Sequence, residues 1–241
     1  MDSICINLLE RIPPSSKIIT PVPRETFPDF DSFSAPFLLI SNRNRTNQQE
    51  TYPCTKFLLE QIDSFNRADP FYCYLSSAEK EHFYWLNFCR SKPKLFWDSV
   101  IKPILAQFPD LNDEYAKSLQ EELSTVGELP KLSLNKTLIY LAQTHAKDNL
   151  NQGKLNHNNA NGKRFDQRIK ETQIKKCASE NLVTGPSNTL FALVLLYLDI
   201  GVPDLGHRKN LLNPIYAEIG IGAATKTGET YYIVQEFACK Q

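Results

Sequence analysis

Two histidines and two acids in this chain sit where side chains can do chemistry. His157 lies in "LNHNNANGKRFDQR" and His207 in "GVPDLGHRKNLLNP", both of them Gly/Asn-rich connections that follow a helical pattern. Connections of this kind present side chains to a cleft. Neutral imidazole is the commonest side-chain ligand of divalent metals, but two histidines leave a metal site half built, so carboxylates or water must complete it. Glu180, in "ASENL", is a carboxylate in an otherwise apolar strand pattern, and Asp199 closes the apolar run "LFALVLLYLD" ahead of His207. A carboxylate in apolar surroundings is costly unless it is paired. Together the four residues could bind a metal or ligand. They could also carry metal-assisted hydrolysis, in which the ion lowers the pKa of bound water and Glu180 or Asp199 is the general base.

The chain has four histidines. His82 falls among Phe83, Tyr84 and Trp85 and is expected at a surface or boundary. His145 lies on or beside the apolar stripe of a helix and is expected in the core, with support of the following loop as its other reading. Arg168 and Arg208 are candidate buried partners for nearby acids. The six cysteines contain no CxxC pair, which argues against a thiolate zinc knuckle. Cys89, in an aromatic run, reads as a small core residue. Cys239 reaches Cys177 if their strands are neighbours.

The elements that must position these residues follow from composition and periodicity. Of 241 residues, 41% are hydrophobic and 22% charged, with 27 Lys+Arg against 27 Asp+Glu. That is the composition of an ordinary globular chain, and the balance offers no electrostatic reason to expect nucleic acid as a partner. The basic stretch from Lys163 to Lys176 reads as a solvated face. No run reaches the ~18–20 apolar residues of a membrane span, and "MDSICINLLERIPP" does not read as a signal peptide.

Residues 1–50 are proline-spotted and predict an irregular extension, with a short helix at its start and a short strand at "FLLI". An amphipathic helix follows over Cys54–Ala68. Helices are expected from Ser77, where Ser77 serves as the cap; from Lys92, kinked or restarted at Pro103; from Asn112 to a stop at Gly127; and from Ser133 to Gly153. A strand at "CASENLV", an apolar helix after Pro186 and a hairpin complete the pattern. The hairpin strands span Tyr216–Ala223 and Thr230–Cys239 and turn near Gly228. Helices followed by a short antiparallel sheet, with one helix between strands, define an α+β domain. Residues 1–74 form the extension and 75–241 the domain.

The ordered set "LNHNNANGKRFDQRI", "ASENLVTG", "ALVLLYLDIGVPDLGHRKNLLNP" and a Gly-rich hairpin ending "YYIVQEFA" resembles the CAP superfamily, the cysteine-rich secretory, antigen 5 and pathogenesis-related 1 proteins, in its bacterial-type branch. The resemblance runs from about residue 75 to 240; Ser179 stands where the family usually has glycine. It implies a three-layer α-β-α sandwich of the CAP type, with a small antiparallel sheet between helices. It implies a cleft made by His157, Glu180, Asp199 and His207, and zinc or another divalent ion on His157 and His207. The expected function is that of a secreted or cell-envelope module binding a small ligand, lipid or peptide, since few members have an accepted enzymatic activity. The alternatives are a metal-assisted hydrolase with Glu180 and Asp199 catalytic, and a structural or interaction protein whose polar cluster fastens loops to strands.

Overall fold

The computed structural model describes residues 52–186 and 188–241, with no account of the side chains of residues 52–58 and 186. The expectations for residues 1–50 fall outside the described residues. Residues from Gln61 to Gln241 belong to one compact unit, and the described residues up to Glu60 group with another. The sheet and every candidate site residue lie within the former.

In chain order the main elements are α1 (Tyr52–Arg67), α2 (Ser77–Ser91), α3 (Pro93–Phe96), α4 (Lys102–Gln107), α5 (Glu114–Thr125), β1 (Ser133–Leu134) and α6 (Lys136–Gln152), followed by α7 (Phe165–Lys170), β2 (Ala178–Pro186), α8 (Thr189–Leu198), α9 (Gly206–Leu212), β3 (Tyr216–Ala224) and β4 (Thr230–Cys239). Local chemistry sets most of the boundaries. Helix α2 is capped by Ser76, one residue earlier than expected. The Ser76 hydroxyl accepts from the Glu79 N–H while the Glu79 carboxylate accepts from the Ser76 N–H, and this reciprocal box requires the acid three residues after the cap. Pro103 has no N–H to continue the ladder, and the chain answers with a π turn over Trp97–Ile101 before α4 restarts. The helix expected from Ser133 begins later. Ser133 and Leu134 pair in parallel with Glu218 and Ile219, and Asn135 then caps α6 by accepting from the Thr137 and Leu138 N–H groups. Gly153, in the left-handed region, closes α6.

The sheet order is β1-β3-β4-β2. It is antiparallel except for the short β1, which makes it mixed. Side chains alternate across its two faces. One face carries Leu182, Ala224 and Val234 against Ala142 and Ala146 of α6. The other carries Asn181 and Gln235, whose partners come from α2 and α9. Helices on both faces give the α-β-α sandwich. Arg90, fully buried, pins the periphery by donating to the carbonyls of Pro130, Leu211, Asn213 and Tyr216.

Cys177 and Cys239 form a disulfide at the open end of the β2–β4 ladder, with Cα atoms 5.4 Å apart. It closes a loop across a sequence separation of 62, and chain-entropy arguments put its contribution at about 4 kcal/mol. Urea unfolding of a Cys177→Ser, Cys239→Ser variant is expected to show a loss of that order. A loss below about 1 kcal/mol would mean the ladder holds without the cross-link.

Candidate functional site

β2 is an edge strand of the sheet, and two of its consecutive residues organise the site from opposite faces. On the α6 face, Glu180 pairs in register with Glu236 of β4, which in turn lies opposite Gly220 of β3. The His157 Nδ1–H donates to Glu180 Oε1 at 2.7 Å. Arg168, from the short helix α7, donates to Glu180 Oε2 and also to the carbonyls of His157 and Lys163. One guanidinium therefore neutralises the acid and ties down the loop that carries the histidine. His145 of α6 is also here, with Nε2 3.7 Å from Glu180 Oε2. Burial, and then the Arg168 charge, lower its pKa to about 3, so its ring is neutral. The expected core position of His145 is thus correct, and it packs against the acid.

On the opposite face, Asn181 donates to the backbone carbonyl of His207 and to Gln235 Oε1, and accepts from Asn210. The chain of bonds continues to His82, whose Nε2 accepts from the Gln235 amide while its Nδ1–H donates to the Thr189 carbonyl. His82 is fully buried, not at a boundary. Burial lowers its pKa to about 4, and both ring nitrogens are satisfied in the neutral form.

His207 opens α9, and Asp199 prepares it. Asp199 Oδ1 accepts from the His207 Nδ1–H at 2.7 Å, while Oδ2 accepts from the backbone N–H groups of His207 and Arg208. One carboxylate thus orients the ring and satisfies the start of the helix, a favourable place for negative charge. The connection is bracketed by two non-glycine residues in the left-handed region, Asp199 (φ 57°) and Leu205 (φ 52°). Such strain concentrates at functional sites. Arg208 locks the segment in place through the carbonyls of Tyr197, Leu198 and Tyr115 and the Ser118 hydroxyl.

The structure therefore brings His157 to Glu180 and His207 to Asp199, and joins both pairs to β2 through residues 180 and 181. Among the described residues no hydrogen bond links one histidine pair directly to the other. The two pairs share a further property: His157 Nε2 and His207 Nε2 are both buried without a hydrogen-bond partner. Sequence reasoning missed Glu236, which is fully buried. The available signal was two adjacent polar residues, Gln235 and Glu236, inside the apolar run "YYIVQEFA", where a buried carboxylate demands a partner.

An α+β sandwich with helices on both faces and carboxylate-anchored histidines flanking its edge strand defines the class. Residues 127–237 match the model of the CAP family, described as the cysteine-rich secretory protein family. Among curated proteins none matches the chain. Solved structures similar to it include an extracellular protein of Bacillus anthracis containing an SCP domain, at 24% identity and a TM-score of 0.37, over 46% of this chain and 35% of that one. The present chain thus spans about a third of the Bacillus protein. An outer surface protein of Borrelia burgdorferi matches at 23% identity and a TM-score of 0.40, over 53% of this chain and 90% of that one. A venom allergen-like protein of Schistosoma mansoni matches at 14% identity and a TM-score of 0.42, over 69% and 92%. Among the described residues, no helix is long and apolar enough to cross a membrane.

Proposed function

We propose that the chain is a secreted or envelope-associated binding module that takes a small ligand, lipid or peptide at the β2 edge, with His157 and His207 as contact groups for a divalent ion such as zinc. The observation that supports this most is the pair of buried, unpartnered Nε2 atoms on rings anchored through Nδ1. A buried polar atom left without a partner costs about 1–3 kcal/mol, so each ring is poised for something that fills the position. A carboxylate accepting from Nδ1–H fixes the tautomer in which Nε2 offers its lone pair to a metal. The donor set fits the ion in chemistry: His157 and His207 would hold it, and Glu180 and Asp199 would orient the rings, their oxygens being engaged by N–H donors.

Among the described residues no group of three or more His, Cys, Asp or Glu side chains is arranged to hold a metal, so water or ligand atoms would complete the coordination. Bound there, the ion would supply Lewis-acid polarisation of a ligand oxygen. A hydrolase needs a free base next to bound water. Glu180 is already held by Arg168 and His157, which favours binding over turnover. The Cys177–Cys239 disulfide is consistent with an oxidising compartment, as secretion requires.

The test is a zinc titration of the full chain beside a His157→Ala, His207→Ala variant. The wild type is expected to bind and to melt at a higher temperature with zinc, by mass action on the folded state; the double variant is expected to do neither. Asp199→Asn, which weakens the anchor but keeps the ligands, is expected to bind about 10–100-fold more weakly. Equal zinc content in wild type and double variant would remove the metal from the proposal.

A further inference from the structure

Two glutamates face each other across the β2–β4 ladder with a single cation between them. Glu180 and Glu236 are register partners, 4% and 0% exposed, and the same Arg168 guanidinium nitrogen lies against an oxygen of each. Their donors are unequal. Glu180 receives the Arg168 guanidinium and the His157 Nδ1–H. Both oxygens of Glu236 are buried without a donor, and the Arg168 nitrogen lies 3.6 Å from the nearer one. Two carboxylates in contact can only repel, because both only accept; a proton on one turns the contact into a hydrogen bond. The groups around Glu236 offer no second charge to balance it. Among the described residues, Arg168 of α7 is the ion-pair partner of Glu236, Glu180 of β2 and Gly220 of β3 are its register partners, and His157 and, from α6, His145, the latter neutral in the fold, lie against Glu180. Like charges opposite each other on a ladder are destabilising even where solvated, and two buried carboxylates sharing a site cannot both ionise.

We propose that Glu236 is held as a neutral carboxylic acid that donates its O–H to the Glu180 carboxylate and so acts as a positioning residue, keeping Glu180 ionised and aimed at Arg168 and His157. The proton resides on Glu236 because Glu180 has N–H donors and Glu236 has none. Burial and then the Glu180 charge raise the Glu236 carboxyl well above its usual range; on Glu180 burial also raises the carboxyl, to about 7, with the Arg168 charge opposing it. The arrangement is that of a capped anion: one acid donates, one guanidinium donates, and the histidine ring donates, all to a single carboxylate. This stands whether or not a ligand binds at His157, so it fails or survives separately from the binding proposal.

The sign of its pH dependence is fixed by where the proton sits. A carboxyl neutral in the fold and ionised in the unfolded chain binds more protons when folded, so its contribution is fully present below the unfolded carboxyl pKa and is lost as pH rises through the folded one. Up to that folded value, the folding equilibrium constant is expected to fall by as much as about tenfold per pH unit from this group.

The experiment is carboxyl carbon NMR of the full chain labelled at glutamate, titrated from pH 4 to pH 9. Glu81, another acid raised by burial, is removed as a source of confusion in a Glu81→Gln background. One glutamate is expected to remain protonated at pH 7 in that background, and its signal is expected to disappear in Glu236→Gln, whose amide can still donate to Glu180. Unfolding measured alongside is expected to lose its steep decline above pH 7 in Glu236→Gln. If that variant does not fold, Glu236→Leu serves for the assignment. Glutamates that are all ionised at pH 7, or a protonated signal that survives removal of Glu236, would overturn the proposal.

Discussion

Replacing Arg168 with alanine is expected to cost about 3–5 kcal/mol of stability at neutral pH, the loss typical when one partner of a buried ion pair is removed. Arg168 is nearly buried and is the cation that contacts both Glu180 and Glu236. Without it, Glu180 stays buried beside a second acid, with the His157 ring as its remaining N–H donor. The chain can respond by protonating, which sets the direction of the pH effect. The folded carboxyl values rise further above the unfolded one, so the variant is closest to wild type below the unfolded carboxyl pKa and falls away as pH rises.

The same side chain donates to the His157 and Lys163 carbonyls, so amide exchange in the loop around His157 is expected to quicken. Urea unfolding at pH 5 and pH 8, with exchange at pH 7, reads both effects. A loss under about 1 kcal/mol at pH 8, the level of an exposed pair, would mean that this cluster is far more solvated than the fold implies.

Gly220→Ala is expected to cost at least as much as the upper end of the usual overpacking range, about 3 kcal/mol. A Cβ at Gly220 would lie 2.0 Å from the Leu138 carbonyl carbon and 2.2 Å from the Ile139 nitrogen. These are backbone atoms of α6, so no side chain can rotate away and the helix itself must move. Gly222 faces the same helix one turn on, where an added Cβ would lie 2.2 Å from the Ala142 carbonyl oxygen. The two glycines let α6 lie directly on β3, which places His145 against Glu180. Gly162→Ala is the informative control. Nothing lies within 4 Å of its Cβ position, and only its left-handed backbone (φ +76°) resists the change. It is expected to cost about 1 kcal/mol. If thermal unfolding shows the two variants equally stable, the close approach of helix and strand is not what these glycines secure.

The boundaries of α2, α5 and α6 were nearly legible because caps act over three or four residues. The Asn135 cap and Gly153 stop of α6 are local chemistry, and so is the alternation that marks the β3–β4 hairpin. Where local reasoning slipped, the slip was small and physical. Ser76 and not Ser77 caps α2 because its box needs Glu79 at the third position, and Ser133–Leu134 leave the helical pattern to pair with β3. His157, Glu180, Asp199 and His207 stood out locally, but which of them meet did not, since partners 23 residues apart such as His157 and Glu180 have no local signal.

Composition, capping and periodicity were enough for the class of fold, for most elements and for the four polar residues that stand out from their surroundings. Tertiary structure alone decided which acid meets which cation, why His82 is buried with both nitrogens satisfied, and that Glu236 faces Glu180. The reason is register. A one-residue slip of β4 against β2 would turn Glu236 to the other face and leave Arg168 with one acid, and no short-range preference of the chain sets that register. It is set by the packing of α6 on one face, by the Asn181–Gln235–His82 bonds on the other, and by the Cys177–Cys239 link at the end.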